Sequence, residues 1–103
     1  MKKALSNAFS INMIAAFKDV KVRFEEVSPS DIPADVESQI GHADIAGLLT
    51  VMLGRPVQVN RVSSKLELGD VLYVAQYVGP RLPEGAVKLP EGATIRFYQV
   101  TLE

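Results

Sequence analysis

His42-Ala43-Asp44-Ile45-Ala46-Gly47-Leu48-Leu49-Thr50-Val51-Met52-Leu53-Gly54-Arg55-Pro56 is the stretch on which the fold turns. Its apolar residues Ile45, Leu48, Leu49, Met52 and Leu53 recur at the spacing of one helix face, and Gly54 with Pro56 supplies the signals that end a helix. The spacing predicts a helix over Ala43–Leu53 with an apolar stripe that needs a surface to cover.

On both sides of this helix the chain reads largely as strand. Val20, Val22 and Phe24 alternate with Lys21, Arg23 and Glu25, the period of a half-buried strand over 20–27, and Ser28-Pro29-Ser30-Asp31-Ile32-Pro33 breaks it as a loop. Lys3 to Ala8 reads as a first strand, after which Asn7, Ser10 and Asn12 suit a turn and the cap of a short helical segment ending near Phe17. Beyond the main helix, 57–62 is predicted as a short strand and 66–70 as a turn. Residues 71–78 form a strand apolar enough to be buried on both faces. Residues 94–102 give a further alternating strand in which Ile95, Phe97 and Tyr98 compete for burial. Strands and helices intermingle, so the expected fold is a single α/β domain over 1–103, a mixed sheet with flanking helices, whose strand order the sequence leaves open.

The 103 residues suit one core rather than two, and 48% hydrophobic with 22% charged residues is the balance of an ordinary globular protein. The chain has no cysteine, which excludes disulfides, thiolate nucleophiles and cysteine-rich zinc sites, and its single histidine does not support a histidine metal cage. Chemistry without a metal or other cofactor is the expectation. Polar Ser6, Asn7, Ser10 and Asn12 interrupt what would be the apolar core of a secretion signal after Met1-Lys2-Lys3, and no apolar run approaches the roughly 20 residues of a membrane span. A cytoplasmic location without membrane contact follows by default. A net charge of -1 gives no general attraction to nucleic acid, so a polyanion would need a local cluster of arginines and backbone donors.

His42, the only histidine, is the first candidate for proton transfer, although a histidine ahead of a helix also serves as a cap or a structural group. Gly41 beside it would let a ligand approach the backbone closely. Asn7, Ser10 and Asn12 are turn formers or ligand contacts. Arg81 and Arg61 offer planar forks that suit phosphate and surface carboxylates alike, and Glu84 reads as a solvated turn residue or a site residue. Leu82-Pro83-Glu84-Gly85-Ala86 recurs as Leu89-Pro90-Glu91-Gly92-Ala93, which reads as two similar turns rather than a solenoid. The sequence lacks a P-loop, a dinucleotide fingerprint, a serine nucleophile elbow and a zinc-deaminase motif.

Asn7-Ala8-Phe9-Ser10-Ile11-Asn12-Met13, Ile40-Gly41-His42, Asn60-Arg61, Gly69-Asp70 and Arg81 with Glu84-Gly85 follow one another in an order that resembles the viral ring-nuclease family of type III anti-CRISPR proteins. The resemblance spans nearly the whole chain. It implies degradation of cyclic tetra-adenylate, the second messenger of type III CRISPR systems, to linear di-adenylate ending in 2',3'-cyclic phosphate. By resemblance the substrate 2'-hydroxyl is the nucleophile, His42 the general acid, Glu84 the group that holds or tunes the imidazole, and Arg81 a contact to the reacting phosphate. Asn7, Ser10, Asn12, Gly41 and Arg61 would bind substrate. Asp44, an acid beside a phosphate site, would instead cap the helix and point away. A ring of four equal nucleotides contains a two-fold axis that can coincide with that of a homodimer, which is the expected assembly. Two other readings stand beside this one: a module that sequesters a cyclic oligonucleotide without cutting it, and a small interaction protein marked by an exposed apolar patch.

Overall fold

A computed structural model of the chain describes residues 2–14, 20–62, 65–82, 85 and 88–103. Among them, five strands form one mixed sheet: β1 (Lys3–Ser6), β2 (Val22–Val27), β3 (Glu37–Ser38), β4 (Val71–Val78) and β5 (Thr94–Leu102), in spatial order β2-β5-β4-β1-β3. β1 runs parallel to β3 on one side and β4 on the other, and β5 is antiparallel to both β4 and β2. The helix α1 (Ala43–Leu53) connects β3 to β4, and 3-10 turns lie at Ile11–Met13 and Pro29–Asp31. This is the α/β architecture the sequence predicts.

α1 has the bounds read from its spacing. Ile45, Ala46, Leu48 and Leu49 are buried against Leu5, Tyr73, Ala75, Ile95 and Phe97 of the sheet. Met52, placed on the apolar face by periodicity, is partly exposed, since the last helical turn runs beyond the buried stretch. The helix stops at Gly54, whose φ of 70° is left-handed and whose N–H donates to the Thr50 carbonyl at 3.1 Å. Thr50 also accepts the Val57 N–H on its hydroxyl, turning the chain back.

The opposite face of the sheet carries a second cluster of Ala4, Leu72, Val74, Val100 and Leu102 with Leu66, flanked by Phe9, Met13 and Tyr98. Burial on both faces, expected of all of β4, holds for Leu72 to Ala75 and lapses at Gln76 and Val78. In β5 the competition resolves by face: Ile95 and Phe97 turn to the helix side, and Tyr98 is half-buried on the other.

Four sequence expectations change. β1 ends at Ser6, where the chain bends and the Ser6 hydroxyl donates to the Ala8 carbonyl at 3.0 Å. Residues 57–62 contribute only a single parallel bridge, Val59 with Ile40, rather than a strand. The predicted turn is confined to 67–70, where Asp70 accepts the Glu67 N–H, because Leu66 is buried and bridges Ile14. The helical segment expected up to Phe17 is a 3-10 turn at Ile11–Met13, and residues 15–19 lie outside the described residues. Among the described residues, no helix is long and apolar enough to cross a membrane.

Candidate functional site

Because β1, β3 and β4 are parallel, their carboxyl ends share one edge of the sheet. In open α/β sheets ligands bind outside that edge. The segments leaving these strands carry Asn7, Gly41 with His42, and Arg81 respectively.

Asn7 follows β1 directly, and its Oδ1 accepts the Gly41 N–H at 3.2 Å, joining the first two loops. The Gly41 carbonyl accepts from Arg61 Nε and Nη2 at 3.3 and 3.0 Å. Arg61 is held in place by the Ile40–Val59 bridge and by Asn60, whose N–H donates to the Ile40 carbonyl and whose Nδ2 donates to the Ser38 carbonyl, both at 2.8 Å. Both polar groups of Gly41 are thus engaged by site residues. Its φ is not positive, and a Cβ there would lie 3.6 Å from Arg61 Nε, an ordinary contact. The backbone itself does not require glycine at this position.

His42 is the N-cap of α1, with its Nδ1 accepting the Ile45 N–H at 3.4 Å. Such a cap satisfies one of the free donors of a helix start. A neutral imidazole that accepts on Nδ1 carries its proton on Nε2, so the exposed ring presents an Nε2–H donor. A second proton would sit on Nδ1 and end the bond to Ile45. The ring therefore has two states that differ in whether the helix start is capped.

Ser10 caps the 3-10 turn of the β1 loop: its Oγ accepts the Asn12 N–H at 3.2 Å and its N–H donates to Met13 Sδ at 3.5 Å. The Asn12 side chain is exposed and, among the described residues, has no partner. Arg81 is exposed and makes no ion pair among the described residues. Its loop is pinched at the base by Gly79, with φ of 151°, where a Cβ would fall 2.7 Å from the Ala93 Cα. Farther along, the Gly85 N–H donates to Asp44 Oδ1 at 3.2 Å, tying the β4–β5 loop to the first turn of α1. Glu84 lies outside the described residues.

The structure thus links Asn7, Gly41, His42 and Arg61 directly, places Ser10 and Asn12 on the loop that Asn7 opens, and tethers the loop bearing Arg81 beside them. Asp44 does not cap the helix as expected. His42 does, and Asp44 reaches across to Gly85. The framing by Ser38 and Asn60 was not legible, since it rests on contacts twenty-two residues apart along the chain. Among the described residues, no three of His, Cys, Asp and Glu gather in a group that would hold a metal ion. Among the described residues, the one clear electrostatic shift lies on another part of the sheet, where the hydrogen bond and charge of Glu26 raise the Arg96 guanidinium above its ordinary value.

A small mixed-sheet α/β protein with polar loops joined at the carboxyl edge of its parallel strands is the class these features define. The chain belongs to the STIV B116-like family, whose sequence pattern matches residues 3–98. Among solved structures it is similar to B116 of Sulfolobus turreted icosahedral virus (STIV), with 28% sequence identity and a TM-score of 0.80 over 98% of this chain and 99% of that one. No curated protein matches it.

Proposed function

We propose that the chain is a metal-independent ring nuclease that opens cyclic tetra-adenylate at the carboxyl edge of β1, β3 and β4. The observation that carries this reading is the joined cluster of Asn7, Gly41, His42 and Arg61, with the Arg81 fork, which makes no ion pair among the described residues, on the neighbouring tethered loop. Guanidinium and amide donors suit phosphate oxygens, and a histidine suits a departing alkoxide. A substrate 2'-oxygen would attack its own phosphorus in line. The new 2'-O–P bond forms as the P–O5' bond breaks, the 2'-hydroxyl proton leaves to solvent, and O5' takes a proton from Nε2 of the doubly protonated His42 ring, which becomes neutral. Opposite cuts yield two linear di-adenylates ending in 2',3'-cyclic phosphate. Arg81 and Arg61 would stabilise charge on the phosphate oxygens. Asn7, Ser10, Asn12 and Gly41 would position the nucleotide, and Glu84, next to the tethered Gly85, would orient the imidazole. Two copies of the chain would each hold half of one ring. The similarity to a viral protein supports a virus-encoded factor acting in the host cytoplasm against type III CRISPR signalling.

Sequestration without cleavage is the second reading, favoured by the commitment of His42 Nδ1 to the helix cap. Single-turnover incubation with cyclic tetra-adenylate in chelator separates the two. Cleavage by the wild type that is lost in His42→Ala, with binding retained, is the expected result. Equal binding without cleavage by either protein selects sequestration, and no binding by either rejects both.

A further inference from the structure

We infer that the hollow on the face of the sheet opposite α1 is a binding site for an adenine base, held among Phe9, Phe24 and Tyr98 and read at its edge by Gln76. The hollow measures about 280 Å³ and is lined by Phe9, Phe24, Val74, Gln76, Tyr98 and Val100. Register brings most of these together: Phe24 lies opposite Val100 across β2 and β5, and Val74 lies opposite Tyr98 across β4 and β5. Gln76, two residues beyond Val74, shares its face. Phe9 arrives from elsewhere. It belongs to the loop after β1, which bends where the Ser6 hydroxyl donates to the Ala8 carbonyl, yet its ring meets Phe24 on β2, on the far side of β4 and β5. The loop thus covers part of this face, and the hollow lies beside it, with the almost fully buried Val74 and Val100 at its base.

The lining selects the ligand. Among the described residues, no charged side chain lines the hollow. Arg96, across from Gln76 on β5, donates to the Glu26 carboxylate at 3.2 and 3.1 Å, so that neighbouring fork is not free for an anion. The complementary ligand is therefore neutral. Phe9 and Phe24 meet edge to face, with ring planes 84° apart and centroids at 5.5 Å. Two perpendicular rings form a corner in which a flat ring can stack on one and turn its edge to the other. Phe24 is 57% exposed, and stacking would cover that area. The Gln76 amide donates from Nε2 to the Tyr77 carbonyl at 3.2 Å, and among the described residues its Oε1 has no partner. An amide oxygen with a remaining N–H beside it matches the amino donor and ring-nitrogen acceptor on one edge of adenine. Size agrees with this: pockets for whole ligands run from roughly 300 to 1,000 Å³, so a hollow just below that range holds a bicyclic base and leaves its sugar outside.

None of the residues proposed to hold phosphate or move a proton lines the hollow, so the inference stands apart from the nuclease reading and is tested without turnover. Adenosine titrated into the full chain and followed by amide NMR should shift Phe9, Phe24, Gln76 and Tyr98 and leave Gly41 and His42 in place. Phe24→Ala should weaken adenosine binding about tenfold or more, the loss expected of one base–aromatic stack, with a thermal midpoint near the wild type because the ring is more than half exposed. Gln76→Leu keeps the bulk and removes the amide, so it should weaken adenosine about fivefold, the loss expected of one hydrogen bond. The dinucleoside phosphate adenylyl-adenosine separates two sources of such a base: tighter binding than adenosine marks a base within a strand, equal binding a free nucleoside, and either supports the inference. If Phe24→Ala does not fold, Gln76→Leu decides alone. No binding of adenosine, shifts confined to Gly41 and His42, or a Gln76→Leu variant that binds adenosine as tightly as the wild type would each overturn it.

Discussion

His42 does at least one job that has nothing to do with catalysis, since its Nδ1 caps α1. Replacing it by alanine therefore removes a cap and a ring together. Asn is a strong N-cap without an imidazole, so His42→Asn should keep its denaturation midpoint near the wild type while His42→Ala loses about 1 kcal/mol, measured by urea unfolding. Both should lose ring cleavage if the ring supplies the proton. Gly41 makes the converse test: its backbone accommodates a Cβ, so Gly41→Ala should unfold within about 0.5 kcal/mol of wild type. Weaker nucleotide binding by calorimetry would then report the ligand approach for which glycine leaves room. Gly79 differs, because its φ of 151° and the 2.7 Å approach to Ala93 leave no space for a side chain. Gly79→Ala should cost about 1–3 kcal/mol in thermal or urea unfolding. In sequence His42 and Gly41 were legible as a histidine and a glycine near a loop, and Gly79 carried no signal of its own. Their separate roles follow from which neighbour each one meets.

At the scale of elements, α1 was legible because its signals are local: a repeated apolar face and a glycine stop. Leu49, with 0% exposure at the centre of that face, anchors the helix to the sheet. Leu49→Ala should cost about 2–5 kcal/mol by chemical denaturation. β3 was not legible, because its two residues carry no period of their own and are strand only through pairing with Ala4 and Leu5. Residues 57–62 show the opposite error. They were read as a short strand, yet they serve as a support for Ile40 and for the approach of Arg61 to Gly41. Much of the candidate site was named from sequence residue by residue. The bonds that join it run between segments far apart in the chain, and Asp44 was assigned to its own helix because an acid in a first turn already has a local explanation.

At the scale of the whole molecule, sheet order sets both the site and the exposed edge. β4, flanked by β1 and β5, should show the slowest amide exchange, since its middle residues are buried on both faces. β2 should show an alternation. The Arg23, Glu25 and Val27 amides, which face β5, should exchange more slowly than the Val22, Phe24 and Glu26 amides. Exchange mass spectrometry or NMR reads this difference directly. Composition, periodicity and turn residues determined by themselves that this is one α/β domain, where α1, β4 and β5 lie, and which polar residues merit attention, because those signals act over a few residues. Only the tertiary structure decided that β1, β3 and β4 share a carboxyl edge, that Asn7 and Arg61 both hold Gly41, and that β2 stands outermost. Those facts depend on strand order and long-range hydrogen bonds, whose free energy exists only once distant segments have met.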